Sequence, residues 1–127
     1  MIRGGLVTLF VRDVGKAVRF YVETLGMKLV EEGGAGWAVI DAGEGFRIGL
    51  HEASAMEPAG PTGSRGAFTP SIGLTPKVPL REAIAIYENR GVVFDVKDEG
   101  PVTLAHFRDP DGNALYLCQH HSSSTTA

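Results

Sequence analysis

The sequence predicts an α+β fold made of two successive βαβββ modules. Short runs rich in β-branched and aromatic residues alternate with turn signals, which is typical of strands, and the 17 glycines fit tight turns between strands better than a helix bundle. Two longer stretches carry apolar residues at helical spacing. Because the order of these elements repeats in the second half of the chain, we infer an internal duplication.

The first module is predicted at about residues 5–52. It opens with a strand at residues 6–11, whose side chains alternate between two faces. Asp13 is placed to cap a helix that Gly26 ends. The apolar stripe of this helix comprises Val14, Val18, Tyr21, Val22 and Leu25. Three further strands are predicted, at residues 27–32, 37–41 and 46–52.

The second module is predicted at about residues 70–119, after a segment at 53–69 that is either a linker or a functional flap. Its elements are a strand at 71–75, a helix at 80–90 and strands at 94–97, 102–107 and 113–119. Residues 120–127 are expected to be a polar tail. One module has too few strands to bury both sheet faces. We therefore expect the two to form a curved eight-stranded mixed sheet, with a ligand cup inside and the helices outside.

The turn between the last two strands, at residues 109–113, has a clear physical basis in the sequence. Pro110 presets φ for a turn, and Gly112 and Asn113 tolerate positive φ. The flanking aspartates can cap turn N–H groups. We expect this turn to be structural and assign it no chemistry.

Composition and charge exclude several classes of partner. The 127 residues suffice for a single domain, and the net charge of −3 lacks the basic stripe that nucleic acids require. No apolar run approaches the roughly 18 residues of a membrane span, and no secretion leader is recognised, so a cytoplasmic location is expected. The single cysteine, Cys118, precludes an intramolecular disulfide and is expected to be a buried apolar side chain.

Several motifs together resemble a known family. They are Val11-Arg12-Asp13-Val14, Phe20-Tyr21, Leu25-Gly26-Met27 and Asp109-Pro110-Asp111-Gly112-Asn113. In this order and spacing the chain resembles the vicinal-oxygen-chelate superfamily, which comprises glyoxalases, bleomycin resistance proteins and extradiol dioxygenases. The resemblance implies the same fold and a small organic molecule in the cup. It also implies a homodimer.

In the metal enzymes of that superfamily, the first and last strands of each half supply the ligands of a divalent ion. The resemblance places Leu6, Gly49, Ser71 and Tyr116 at those positions. Leucine and glycine side chains offer no donor atom, and a serine hydroxyl and a neutral phenol are poor ligands for divalent ions. We therefore expect no metal ion and no other cofactor.

The residues expected to line the cup and bind a ligand come from both modules. They are Leu6, Thr8, Phe10, Trp37, Arg47, Gly49, His51, Ser71 and Tyr116. Four of them allow a second interpretation. His51 is either a hydrogen-bonding group, base or ligand in the cup, or a strand-end histidine in solvent. Arg47 either binds a ligand or lies at the surface, where it can pair with Glu52. Trp37 belongs to the core or to the cup wall. Tyr116 contacts a ligand or fills the space of a missing ion.

Three functions compete. The leading hypothesis is a metal-free protein that sequesters an aromatic or heterocyclic compound, as in antibiotic resistance. The second is a metal-dependent lyase or dioxygenase, in which His51 and His106 would have to supply ligands. The third is a metal-independent enzyme that uses His51 or Tyr116 for proton transfer.

Overall fold

The computed structural model describes residues 1, 3, 5–34, 36–53 and 70–121. Within these ranges the elements follow the order βαβββ twice, which confirms the α+β class and the doubled module. The chain divides into two units, which correspond to the two predicted modules and are described separately. The segment predicted as a linker or flap lies, except for Ala53, outside the described residues, as does the tail from residue 122 onward.

The first module is a four-stranded sheet with one helix. Its elements are β1 (Val7–Val11), α1 (Val14–Arg19, continued by a π-helical turn at Phe20–Thr24), β2 (Lys28–Gly33), β3 (Trp37–Gly43) and β4 (Phe46–Glu52). The strand order is β1-β4-β3-β2. Strand β1 runs parallel to β4, whereas β3 is antiparallel to both β2 and β4. This mixed sheet agrees with the prediction.

Helix α1 begins and packs as its sequence predicts, with one difference. The Asp13 carboxylate accepts a hydrogen bond from the Lys16 backbone N–H at 3.0 Å, which satisfies one of the free donors of the first turn. The buried side chains are Val14, Ala17, Tyr21 and Leu25. Val18 and Val22, predicted for the same stripe, are only half-buried. The π-helical turn rotates the last part of the helix relative to ideal α spacing.

The second module repeats this topology. Its elements are β5 (Ser71–Leu74), α2 (Leu80–Glu88), β6 (Asp95–Asp98), β7 (Val102–Arg108) and β8 (Ala114–His120), and the strand order is β5-β8-β7-β6. Strand β8 includes His120, and the backbone N–H of His121 donates to the Pro101 carbonyl at 2.8 Å. Two residues of the segment predicted as a tail, His120 and His121, are therefore hydrogen-bonded parts of the module.

In each module the helix covers one face of the sheet. Helix α1 packs against β3 and β4, and α2 packs against β8. The fully buried strand residues of the first module include Ile40, Ile48 and Leu50. Because side chains alternate along a strand, Arg47, Gly49 and His51 of β4 lie on the opposite face. That second face is available for a binding site.

The turn at residues 109–113 is held by a buried carboxylate. Asp109 is only 4% exposed. Its Oδ1 accepts from the backbone N–H groups of Asp111 (2.9 Å) and Asn113 (2.8 Å), and its Oδ2 accepts from the Asn113 side-chain amide (2.9 Å). Gly112 adopts a φ of 87°, which explains the glycine. The predicted structural role of this turn agrees with these contacts.

None of the helices in the described residues is long and apolar enough to span a membrane.

Replacement of Asp13 by Ala should destabilise the first module through α1. The carboxylate contact at the helix N-terminus is lost, and N-cap substitutions of this kind cost about 1 kcal/mol. Urea denaturation followed by circular dichroism measures the difference. The Asp13→Asn variant retains a capping oxygen and should recover most of the loss, whereas equal losses in both variants would contradict a capping role.

Candidate functional site

On the open face of the first sheet, a row of paired residues crosses all four strands. Gly33 of β2 pairs with Trp37 of β3, Trp37 pairs with His51 of β4, and His51 pairs with Phe10 of β1. Phe10 and Trp37 are 40% and 39% exposed. The side chains of Phe10, Trp37 and His51 are called the aromatic row below. They place two large apolar groups and one imidazole at an accessible surface.

The imidazole of His51 is fixed in orientation. Its Nδ1 lies 2.9 Å from the backbone carbonyl oxygen of Glu52. Because a carbonyl oxygen can only accept, Nδ1 donates, and in the neutral ring Nε2 carries the lone pair. The ring also contacts Phe10 edge-on, with centroids 5.8 Å apart and planes at 62°. His51 is half-buried, and these two contacts restrict the rotation of its ring.

Trp37 lies at the surface, so the core alternative for this residue is wrong. Its indole lies across Gly33, where an added Cβ would collide with Nε1 and Cε2 of the ring. The indole therefore leans toward β2, whereas the His51 ring leans toward Phe10 on β1. The two side chains diverge from paired backbone positions.

Leu6, Thr8 and Gly49 lie together next to the aromatic row. Thr8 pairs with Gly49 across β1 and β4, and Gly49 pairs with Val39 of β3. A Cβ added to Gly49 would lie 3.0 Å from Leu6 Cδ1 and 3.2 Å from Thr8 Oγ1. Both side chains would have to shift by a few tenths of an ångström to admit a Cβ at position 49. Gly49 thus allows close packing at a position where the resemblance expects a metal ligand.

Arg47 is paired, but not with Glu52. Its Nε lies 3.7 Å from Asp41 Oδ2, and the two side chains are 46% and 23% exposed. Asp41 also accepts a 2.6 Å hydrogen bond from the Gly43 N–H. The sequence reasoning missed Asp41. The signal was present, because a hairpin centred on Glu44 places residues 41 and 47 opposite each other.

In the second module Tyr116 lies across a neighbouring strand. A Cβ added to Gly73 of β5 would be 2.5 Å from Tyr116 Cζ and Oη. On the other side, the His106 ring is tilted against the phenol ring, with centroids 5.6 Å apart. Ser71 is exposed two residues before Gly73 and thus on the same face. Tyr116 is half-buried between its two neighbours.

Cys118 differs from the expectation of a buried filler. The thiol-bearing residue is half-buried and, two residues after Tyr116, lies on the open face of the second sheet. The pattern of the strand could not reveal this, because both faces of β8 carry apolar residues.

The four positions that the resemblance assigns to a divalent ion do not fit one. Leu6 and Gly49 offer no donor atom, and Ser71 and Tyr116 offer neutral hydroxyls, which bind divalent ions poorly. Over the part of the chain that the structure describes, no group of three or more His, Cys, Asp or Glu side chains is placed to hold a metal ion.

The structure thus joins the predicted site residues in groups. In the first module, Phe10, Trp37 and His51 form the aromatic row, Leu6, Thr8 and Gly49 pack beside it, and Arg47 pairs with Asp41 on the same face. Ser71 and Tyr116 lie on the open face of the second sheet. Gly33 was overlooked as a site residue because its role, to admit the Trp37 indole, depends on a cross-strand neighbour.

Solved structures with similar folds span nearly the whole chain. A protein from the mobile metagenome of V. Pseudocholerae is 30% identical, with a TM-score of 0.65, over 93% of this chain and 95% of its own. A glyoxalase/bleomycin resistance protein/dioxygenase superfamily member from Sphaerobacter thermophilus is 26% identical, with a TM-score of 0.68, over 93% and 98%. The lactoylglutathione lyase of Agrobacterium tumefaciens is 14% identical, with a TM-score of 0.71, over 91% and 93%, and supports the fold alone.

The family comparison agrees with these structures and with the motifs in the sequence. The model of the glyoxalase/bleomycin resistance protein/dioxygenase superfamily matches residues 5–117. This range includes the first module, the second module as far as Leu117 of β8, and every predicted ligand-binding residue. The chain therefore belongs to the glyoxalase/bleomycin resistance protein/dioxygenase superfamily.

Proposed function

We propose that this chain is a metal-free small-molecule-binding protein that sequesters an aromatic or heterocyclic compound, as the resistance proteins of its superfamily do. In the first module, the aromatic row, with Leu6 and Thr8 beside it, would supply most of the binding surface. In the second, Ser71 and Tyr116 would contribute.

One observation carries the proposal: the side chains at the family's metal positions. Two of the four positions, Leu6 and Gly49, cannot coordinate any ion, and the other two offer only neutral hydroxyls. A working open site needs about three protein ligands with deprotonated oxygen, sulfur or imidazole donors. This donor set gives the metal-dependent lyase or dioxygenase no support.

The nature of the exposed face supports an aromatic ligand. Phe10 and Trp37 keep about two-fifths of their surface accessible. Binding sites for small molecules are mostly apolar, with a few placed polar groups, and stacked or edge-on aromatic pairs gain about 0.5–1.5 kcal/mol beyond their buried area. A planar ring laid against either side chain would bury apolar surface that is now accessible.

The proposal includes a cytoplasmic homodimer, which the resemblance to resistance proteins suggests. Sedimentation equilibrium of the purified chain tests the dimer directly. A single species at the mass of one chain over the accessible concentration range would contradict it.

Metal analysis and ligand binding test the function together. Untagged protein produced in medium that contains zinc, nickel, manganese and iron should hold far less than one ion per chain. The same protein should bind 2-naphthol saturably and release it unchanged. Trp37 is the only tryptophan, so its indole cross-peak in ¹H–¹⁵N NMR spectra reports on the aromatic row. Near-stoichiometric metal would overturn the metal-free function.

Phe10→Ala supplies the matched test of the aromatic row. Loss of one aromatic partner should weaken 2-naphthol binding by about 2- to 10-fold. Val93→Ala removes an exposed apolar side chain of the second module (82% exposed) and should leave binding unchanged. Equal effects of the two substitutions would indicate non-specific adsorption.

His51 favours a second candidate, a metal-independent enzyme. Its Nε2 carries the lone pair and can take a proton from a substrate bound beside the aromatic row. In that case the purified chain should convert a bound compound, and His51→Ala should abolish the conversion. Turnover that survives this substitution would remove the candidate.

A further inference from the structure

We infer that His51 acts as a hydrogen-bond acceptor that selects ligands carrying an N–H or O–H group on a planar aromatic ring. The inference rests on the proposed function, since it specifies which aromatic compounds the same face would hold. It assigns to His51 the part of a specificity-determining residue. Two independent features of the first module lead to it.

The first feature is the fixed tautomer. Nδ1 donates a hydrogen bond to the Glu52 carbonyl oxygen at 2.9 Å. Because a neutral imidazole carries only one N–H, Nε2 then has a lone pair and can only accept. The contact with Phe10 at 62° between ring planes holds the imidazole in this orientation. Rotation of the ring by half a turn would break the bond to Glu52. The acceptor atom is thus positioned before a ligand arrives.

The second feature is the apolar surface around that acceptor. Phe10 flanks His51 on one side, and the Trp37 indole leans away toward Gly33 on the other. Along the strand, the next residue on the same face is Gly49, which presents no side chain. Among the described residues, no hydrogen bond ends on His51 Nε2. A ligand ring that covers this surface therefore displaces water from Nε2. The ligand must then donate the hydrogen bond that water gave to this atom.

A fixed acceptor atom within an apolar surface favours ligands that can donate a hydrogen bond over ligands that cannot. A ligand with a correctly placed N–H or O–H replaces the lost water, whereas an analogue that lacks the donor leaves a covered acceptor without a partner. Sites built to hydrogen-bond a group discriminate strongly against analogues without it. A single neutral acceptor at a partly open surface should give a difference of about tenfold in affinity.

A matched pair of probes tests the selection. 2-Naphthol and 2-methoxynaphthalene share the ring system, but only the first can donate. Both are titrated against the ¹⁵N-labelled full chain, with the Trp37 indole cross-peak and the His51 ring nitrogens as readouts. We expect 2-naphthol to bind about tenfold more tightly and to shift the Nε2 resonance. 2-Methoxynaphthalene should bind weakly and leave that resonance in place.

Two substitutions at position 51 distinguish the role of the acceptor atom Nε2 from that of the rest of the imidazole ring. In His51→Gln the side-chain amide reaches the position of Nε2 and can still accept. In His51→Asn it reaches only the position of Nδ1, where it can keep the bond to Glu52. The preference for 2-naphthol should survive in His51→Gln and disappear in His51→Asn. His106→Asn, in the second module, is the control and should keep the preference.

The outcomes distinguish this inference from the function on which it rests. Equal affinities for the two probes, or a preference that persists in His51→Asn, would overturn the inference and leave aromatic binding intact. If neither probe binds saturably, both fail.

Discussion

Replacement of Asp109 by Ala is expected to lower the free energy of unfolding by about 3 kcal/mol, because the buried carboxylate holds the β7–β8 turn. Three hydrogen bonds end on its oxygens, two from backbone N–H groups and one from the Asn113 amide. Asn113 is itself buried, so water does not readily replace the two hydrogen bonds that it gives to Asp109. A loss of this size should lower the melting temperature by roughly 10 °C.

Urea denaturation of three variants measures this effect. Asp98→Ala is the matched control in the same module, because Asp98 accepts one 3.2 Å bond from Gly100 at an exposed turn and should cost about 0.5 kcal/mol or less. Asp109→Asn keeps the shape of the side chain and the oxygen that accepts from the backbone N–H groups. Its loss of unfolding free energy should therefore lie between those of the other two variants. Similar losses for Asp109→Ala and Asp98→Ala would contradict the structural role assigned to this turn.

Replacement of Gly73 by Ala should destabilise the second module by about 2 kcal/mol, because it displaces the Tyr116 ring. The added Cβ would lie 2.5 Å from the ring carbon that bears the hydroxyl and from the hydroxyl oxygen itself. The His106 ring, whose centroid is 5.6 Å away, limits the movement of the phenol ring on its other side. An alanine in a strand is otherwise more favourable than a glycine. The direction of the effect thus depends on Tyr116.

A double-mutant cycle isolates that dependence. In a Tyr116→Ala background, Gly73→Ala should be neutral or stabilising by about 0.5 kcal/mol, which gives a coupling energy of about 2 kcal/mol. Gly36→Ala is the control, since an added Cβ there meets no atom within 4 Å. A coupling energy near zero would mean that the ring moves aside without cost.

The sequence was sufficient for the fold because its signals are local. Glycine-rich turns, alternating strands and the Asp13 cap each require only neighbouring residues, and all eight strands were predicted close to their observed bounds. The π-helical turn at Phe20–Thr24 was not predicted, since apolar residues spaced by three and four positions fit an α-helix equally well. The end of β8 was missed because His120 and His121 are polar, and their strand-like ordering depends on β7 and Pro101.

The sheet face on which the candidate site residues lie was predictable, but the contacts between them were not. Alternation along β1 and β4 placed Phe10 and His51 on one face, and the register confirms that they pair. The partner of Arg47 and the position of the Trp37 indole depend on which residues oppose each other across a hairpin. The tautomer of His51 depends on a side-chain rotation that brings Nδ1 to the Glu52 carbonyl. Such contacts are set by three-dimensional packing rather than by residue spacing.

The parallel pairing of β1 with β4 has a consequence for the order in which the first module assembles. Leu9 pairs with Leu50, so the chain must close a loop of about forty residues before this edge forms, whereas the β3–β4 hairpin closes locally. Strand β1 should therefore be the last strand to join and the first to detach in native-state fluctuations. Because Phe10 belongs to β1, a compound bound at the aromatic row would stabilise the strand that detaches most readily. Ligand binding would then reduce how often this strand detaches from the folded sheet.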